Sequence, residues 1–155
     1  MSALTRISID AARAPVYHVP DASSTLDVAA RLLADTATPT PHLTTIIADS
    51  QSAGRGRLGR SWITPPGQAL LASTIVSLPA SLPTEALGWI LHACALAVRD
   101  ALSERLTDLG HTVTLKWPND VLVDEERKIC GMLAQLAPAS TPFTTCVILG
   151  YGINI

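Results

Sequence analysis

The sequence predicts an α+β fold, a mixed β-sheet flanked by helices, with the helices set on one side. Three observations predict it. β-branched, apolar runs recur along the chain, only two segments carry helical periodicity, and the late strand-like runs follow one another at hairpin spacing.

Residues 1–14 read as an N-terminal tail and residues 15–155 as one domain. Residues 15–20 form a short strand. Ser23, Ser24 and Thr25 offer helix-capping hydroxyls, and Leu26, Ala29, Ala30 and Leu33 follow at amphipathic spacing. The Thr/Pro-rich stretch 36–42 is a loop, 43–49 a strand, and 50–60 a polar Gly/Arg segment. A long strand over 69–78 precedes a loop bracketed by Pro79 and Pro83. The longest helix runs from Thr84 to about Leu109 and is ended by Gly110. Its expected buried stripe is Leu87, Ile90, Leu91, Cys94, Val98, Ala101 and Leu102. Strands follow over 112–117, 128–136 and 143–149, with a charged turn at 124–127. Residues 150–154 read as a glycine-spaced turn.

Composition narrows the function classes. Apolar residues make up 48% and charged residues 15%, the balance of a globular chain. A net charge of −2 argues against holding nucleic acid by charge alone. Three cysteines without metal-ligand spacing suit a reducing compartment, with two of them in apolar runs as small hydrophobes. Residues 1–10 lack a secretion signal, and the longest apolar stretch, 86–98, is too short to cross a bilayer. The expectation is a cytoplasmic domain with no membrane partner.

The densest signal is Gly54-Arg55-Gly56-Arg57-Leu58-Gly59-Arg60-Ser61. It imitates the G-x-G-x-x-G dinucleotide fingerprint and nearly imitates a phosphate-binding loop. Both require a helix to follow. Here Trp62-Ile63-Thr64-Pro65-Pro66-Gly67 follows, and paired prolines before a glycine do not continue a helix. What remains is a mobile loop whose glycines permit close approach and whose guanidinium forks suit carboxylate and phosphate oxygens. A solvated basic loop, or one that touches nucleic acid, fits the same residues.

A second constellation lies in Lys116-Trp117-Pro118-Asn119-Asp120 and Lys128-Ile129-Cys130-Gly131-Met132-Leu133. Pro118 forces a turn that places Asn119 and Asp120 at a strand end. Lys128 leads an apolar strand, and Gly131 allows a ligand close to the backbone. Singly, each has an ordinary explanation: a turn, a strand-edge charge, and for Asn154 a cap.

Together these residues resemble the biotin–protein ligase family. Residues 51–62 look like its G-R-G-R-x-G-R-x-W signature, and 116–120 like K-W-P-N-D. Residues 128–133 look like K-[LI]-x-G-[IM]-L, and 150–154 like G-x-G-x-N. The resemblance implies a fold similar to class II aminoacyl-tRNA synthetases. It also implies two-step chemistry: biotin and Mg²⁺-ATP give biotinyl-5′-AMP, and a lysine of a biotin carboxyl carrier domain takes the biotinyl group.

By motif position, Lys128, Arg55 and Arg57 are implied as catalytic. Ser24, Thr25, Leu26, Gln51, Gly56, Trp62 and Gly131 join them around biotin or its adenylate. Arg60, Trp62, Asn119, Asp120 and Asn154 are implied on the ATP side, with no protein-held metal cluster. The family reads Ser-Thr-Asn where this chain has Ser24-Thr25-Leu26, and leucine cannot make an amide's hydrogen bonds. The chain stops at Ile155, whereas the resemblance implies more catalytic domain and a small β-barrel beyond it. A sheet ending there is expected to leave its last strand unpaired. Too few residues precede Pro15 for a helix-turn-helix, so no DNA partner is expected; a homodimer is compatible with the sequence.

Three alternatives stay open. Lipoate–protein ligase shares the chemistry, but its R-R-x-G-G-G loop and following histidine are absent here. A truncated, non-catalytic biotin-binding or carrier-docking module would keep the same motifs. A Gly/Arg nucleic-acid binder would show steep salt dependence.

Overall fold

The computed structural model describes residues 3–10, 12–137 and 144–155. The strands among them are β1 (Thr5–Ile7), β2 (Val16–Ala22), β3 (Thr45–Gln51), β4 (Ala69–Pro79), β5 (Val113–Lys116), β6 (Asp120–Val123), β7 (Arg127–Ala137) and β8 (Thr144–Asn154). They form one eight-stranded sheet in the order β1-β2-β3-β4-β8-β7-β6-β5. Only β2 and β3 pair in parallel, which obliges a crossover, and α1 (Thr25–Ala34) supplies it. The second helix, α2 (Leu87–Leu106), carries 3₁₀ turns at both ends and links β4 to β5. It stops where expected, at Gly110, whose φ of 83° suits glycine.

Strand alternation splits the core into two layers. Ile46, Ala48, Ile75, Cys146 and Ile148 pack with Leu26, Ala29, Leu32 and Leu33 of α1. Their sequence neighbours Val76, Val147 and Leu149 turn the other way, toward Leu87, Ile90 and Leu91 of α2. Val121, Cys130 and Met132 continue that second layer around Ala95. The two helices therefore cover opposite faces, which corrects the expectation that they share one side. Periodicity shows that a helix has a buried stripe; it does not say which face of the sheet receives it.

Other expectations change for equally local reasons. Residues 150–154 continue β8, hydrogen-bonded to β4 on one side and β7 on the other. The final strand is thus interior, and the sheet's edges are β1 and β5. Thr5–Ile7, expected in a tail, is an antiparallel strand on β2. Residues 120–123 form a full strand between β5 and β7. The expected start at Phe143 lies outside the described residues. In α2, Ala95 is the buried residue and Ala101 is exposed. With its 3₁₀ turns that helix spans Thr84–Leu109, long and apolar enough by length and composition to cross a bilayer, contrary to the expectation from 86–98. Here one of its faces packs on the sheet.

Candidate functional site

The site begins where the β-strands run out of side chains. On the α1 face of β8, Ile148 is followed at period two by Gly150 and Gly152, and Gly131 lies beside Gly152 on β7. A Cβ on Gly150 would lie 2.8 Å from Leu26, so this glycine makes room for the start of α1. A Cβ on Gly152 or Gly131 would lie 2.6 or 2.8 Å from the Trp62 ring. The indole therefore lies directly on a bare backbone floor.

The Gly/Arg loop folds over that floor as a short hairpin. The Gly56 N–H donates to the Arg60 carbonyl at 2.7 Å and the Trp62 N–H to the Gly54 carbonyl at 2.9 Å, with a bridge between Arg55 and Ser61. Irregular backbone and a turn, not a helix, follow it, as the prolines predicted. Two side chains fasten the loop. Arg55 pairs with Asp27 of α1 at 2.6 Å, and Arg57 donates to Asn119 Oδ1 at 3.0 Å.

Asn119 earns its burial with two further bonds. Its side-chain N–H donates to the Met132 carbonyl at 2.8 Å, and its own carbonyl accepts the Met132 N–H at 3.0 Å. The β5–β6 turn, which includes a cis Trp117–Pro118 bond, thus connects the loop to β7.

Lys128 reaches the site through a bulge. Val121 pairs with Cys130 but Leu122 pairs with Lys128, so Ile129 is an extra residue on β7. Without it, position 128 would share the face of buried Cys130 and Met132. With it, the Lys128 ammonium comes to the Gly131 side, 2.8 Å from Asp120 Oδ1 and 5.5 Å from the centroid of the Trp62 ring.

The resulting cavity is narrow, with about 50 Å³ of free space. Ser24, Thr25, Leu26 and Gln51 line one end, and Arg55, Gly56, Arg57 and Trp62 form the cover. Asn119, Lys128 and Gly131 complete the set of expected residues that the structure brings together. Three expected residues stand apart. Arg60 is exposed, Asp120 sits behind Lys128, and Asn154 donates to the Lys128 carbonyl at 3.2 Å in a separate hollow with His111 and Arg127.

Met132, Leu133, Gly150, Tyr151 and Gly152 also line the cavity and were not singled out for it. Two glycines at period two inside an apolar strand were the available signal. The capping expectation also changes. The Ser24 carbonyl accepts the Asp27 and Val28 N–H groups, while its hydroxyl makes no capping bond, and the Thr25 hydroxyl turns to Gln51.

Among the described residues no three His, Cys, Asp or Glu side chains gather as a metal site. Burial pushes the Cys94 thiol up to about 11 and Cys130 up to about 12 on the α2 side of the sheet. Both are unreactive thiols at neutral pH.

The sequence pattern of the biotin/lipoate A/B protein ligase family matches residues 23–154. The biotin–[acetyl-CoA-carboxylase] ligase of Mycobacterium tuberculosis is 38% identical over 110 residues, covering 71% of this chain and 38% of that protein. A bifunctional ligase/repressor of Bacillus subtilis is 31% identical over 140 residues, covering 90% and 40%. Among solved structures, biotin protein ligase from Leishmania major in complex with biotinyl-5-AMP superposes with a TM-score of 0.70 at 29% identity, covering 90% of this chain and 57% of that one. The Aquifex aeolicus ligase in complex with biotin and ATP gives 0.65 at 31% identity, covering 90% and 52%. The chain thus spans less than two thirds of the length of each of these relatives.

Proposed function

The chain belongs to the biotin/lipoate A/B protein ligase family, and on that premise we propose that its cavity binds biotin for ATP-dependent activation and transfer to a carrier-protein lysine. One observation carries the reading: Arg55, Arg57 and Lys128 converge on a glycine-floored cavity covered by Trp62. That arrangement suits chemistry in which two anions, a carboxylate and a phosphate, must meet. Biotin is preferred over lipoate because three of the relatives named above are biotin ligases by name.

In the first step a carboxylate oxygen of biotin attacks the α-phosphorus of ATP. The new P–O bond forms as the bond to pyrophosphate breaks, leaving biotinyl-5′-AMP. In the second, the neutral amine of a carrier lysine attacks the acyl carbon, AMP leaves, and the amine's proton passes to solvent. Lys128 enters as an ammonium held by Asp120, donating toward the bridging oxygen where charge builds. It is not a base. Arg55 and Arg57 hold the adenylate under the loop and keep water from it.

A magnesium ion brought in with ATP would be held mainly by the nucleotide phosphates and water. The two carboxylates nearest the cavity, Asp27 and Asp120, are paired with Arg55 and Lys128; Asp120 would be the protein's one contribution to the ion, whose chemistry would be to offset phosphate charge.

The test is exchange of labelled pyrophosphate into ATP by the purified chain, with lipoate as the control acid. Biotin-dependent exchange is expected. Exchange with lipoate, or no detectable binding of biotin by calorimetry, overturns the reading. Biotin binding without exchange would reduce the chain to a biotin-binding module.

A further inference from the structure

We propose that Ser73, which does not line the cavity, is a positioning residue that fixes the orientation of the Gln51 amide through Thr25. The inference takes biotin as ligand from the reading above, but its geometry stands without it.

Ser73 is wholly buried on β4, opposite Gly150 of β8. Its Oγ lies 2.9 Å from Thr25 Oγ1, which lies 3.1 Å from Gln51 Oε1. The backbone N–H of Thr25 lies 2.7 Å from the same Gln51 atom.

These contacts leave one arrangement of protons. A backbone N–H only donates, so the Gln51 atom facing it is the oxygen. That oxygen carries no hydrogen, so the Thr25 hydroxyl must spend its proton on it. Ser73 can then only donate to Thr25. The chain runs one way, from Ser73 to Thr25 to Gln51.

The consequence appears at the cavity wall, which both Thr25 and Gln51 line. Gln51 is held with Nε2 as the end away from the Thr25 N–H, on the side of Gly54, and Thr25 retains lone-pair capacity and no proton. A ligand group reaching this end meets amide N–H donors from one residue and an acceptor from the other. Without Ser73 the Thr25 hydroxyl has no donor to fix its rotor, and its bond to the amide, one of the two that orient it, is weakened.

The test uses the whole chain and two readouts. The first is the ¹⁵N NMR signal pair of the Gln51 side-chain amide without ligand, assigned by its loss in Gln51→Glu. The second is biotin affinity by calorimetry. In Ser73→Ala the Gln51 pair should shift and broaden, and affinity should fall roughly tenfold, the scale of one hydrogen bond. Ser73→Thr, which keeps the hydroxyl, should restore affinity to within about twofold, since a fall of that size is below the range of one neutral bond. A purely structural serine would leave the Gln51 signals unmoved. Unmoved signals, or wild-type affinity in Ser73→Ala, overturn the proposal. If Ser73→Ala does not fold, the nearly isosteric Ser73→Cys, a weaker donor, makes the same comparison. If the wild-type chain binds no biotin, the biotin reading falls and the Gln51 signals alone decide the role of Ser73.

Discussion

Lys128 touches three things at once: the Asp120 carboxylate, the Trp62 face and the bare backbone of Gly131. Lys128→Ala is expected to slow adenylate formation on the order of 100-fold or more, the usual scale for a lost electrostatic donor. Arg55→Ala and Arg57→Ala are expected chiefly to hasten escape or hydrolysis of the adenylate. Rapid-quench measurement of bound adenylate separates the two effects, and wild-type behaviour in all three variants would remove the assigned roles. Trp62 supplies an optical check. Trp89 and Trp117 are 72% and 79% exposed, which leaves Trp62 as the partly sheltered indole. Biotin should therefore perturb a fluorescence component that Trp62→Phe abolishes. Gly152→Ala, whose Cβ cannot coexist with the ring at 2.6 Å, should shift that component even without ligand.

At the scale of elements, the cavity is a set of fasteners between segments far apart in sequence. Asn119 joins the Arg57 loop to β7 by three hydrogen bonds, so Asn119→Ala should cost about 1–3 kcal/mol of stability by urea denaturation, the price of unpaired buried groups. It should also free the loop to proteolysis. Much of this was legible in the chain. The helices, the turn at Pro118 and the non-helical exit from the Gly/Arg loop follow from local chemistry, because proline, glycine and capping preferences act within a few residues. The bulge at Ile129 was not legible, since it exists only as a register between β6 and β7. The extension of β8 through Gly150 and Gly152 was hidden for a similar reason. Glycines favour turns in isolation, and only Leu26 over Gly150, the indole over Gly152 and the strands on both sides keep this segment extended.

For the whole molecule, stability rests on a sheet packed on both faces. Ile148 is fully buried in the α1 layer, and Ile148→Ala should cost about 2–5 kcal/mol in a urea titration. The two limits of pH tolerance lie in different places. Asp124, hydrogen-bonded by the Thr112 N–H and by Arg127, has its carboxyl held below the ordinary aspartate value. Its contribution is present above that value and lost as pH falls through the lowered one, so Asp124→Asn should flatten the acid limb. Cys94 and Cys130 are raised by burial from 9.0 to about 11 and about 12, and Tyr151 is raised for the same reason. Their contribution is complete below the unfolded thiol value and disappears as pH climbs toward the folded ones, an alkaline limb readable by circular dichroism. The placement of β8 has a consequence for how the chain is made. β1 to β4 and β5 to β7 share no strand pairing except through β8, which follows all seven of them in sequence. On a ribosome both halves must wait with one edge open until β8 emerges, and the glycine floor of the cavity comes into being in the same event that joins them.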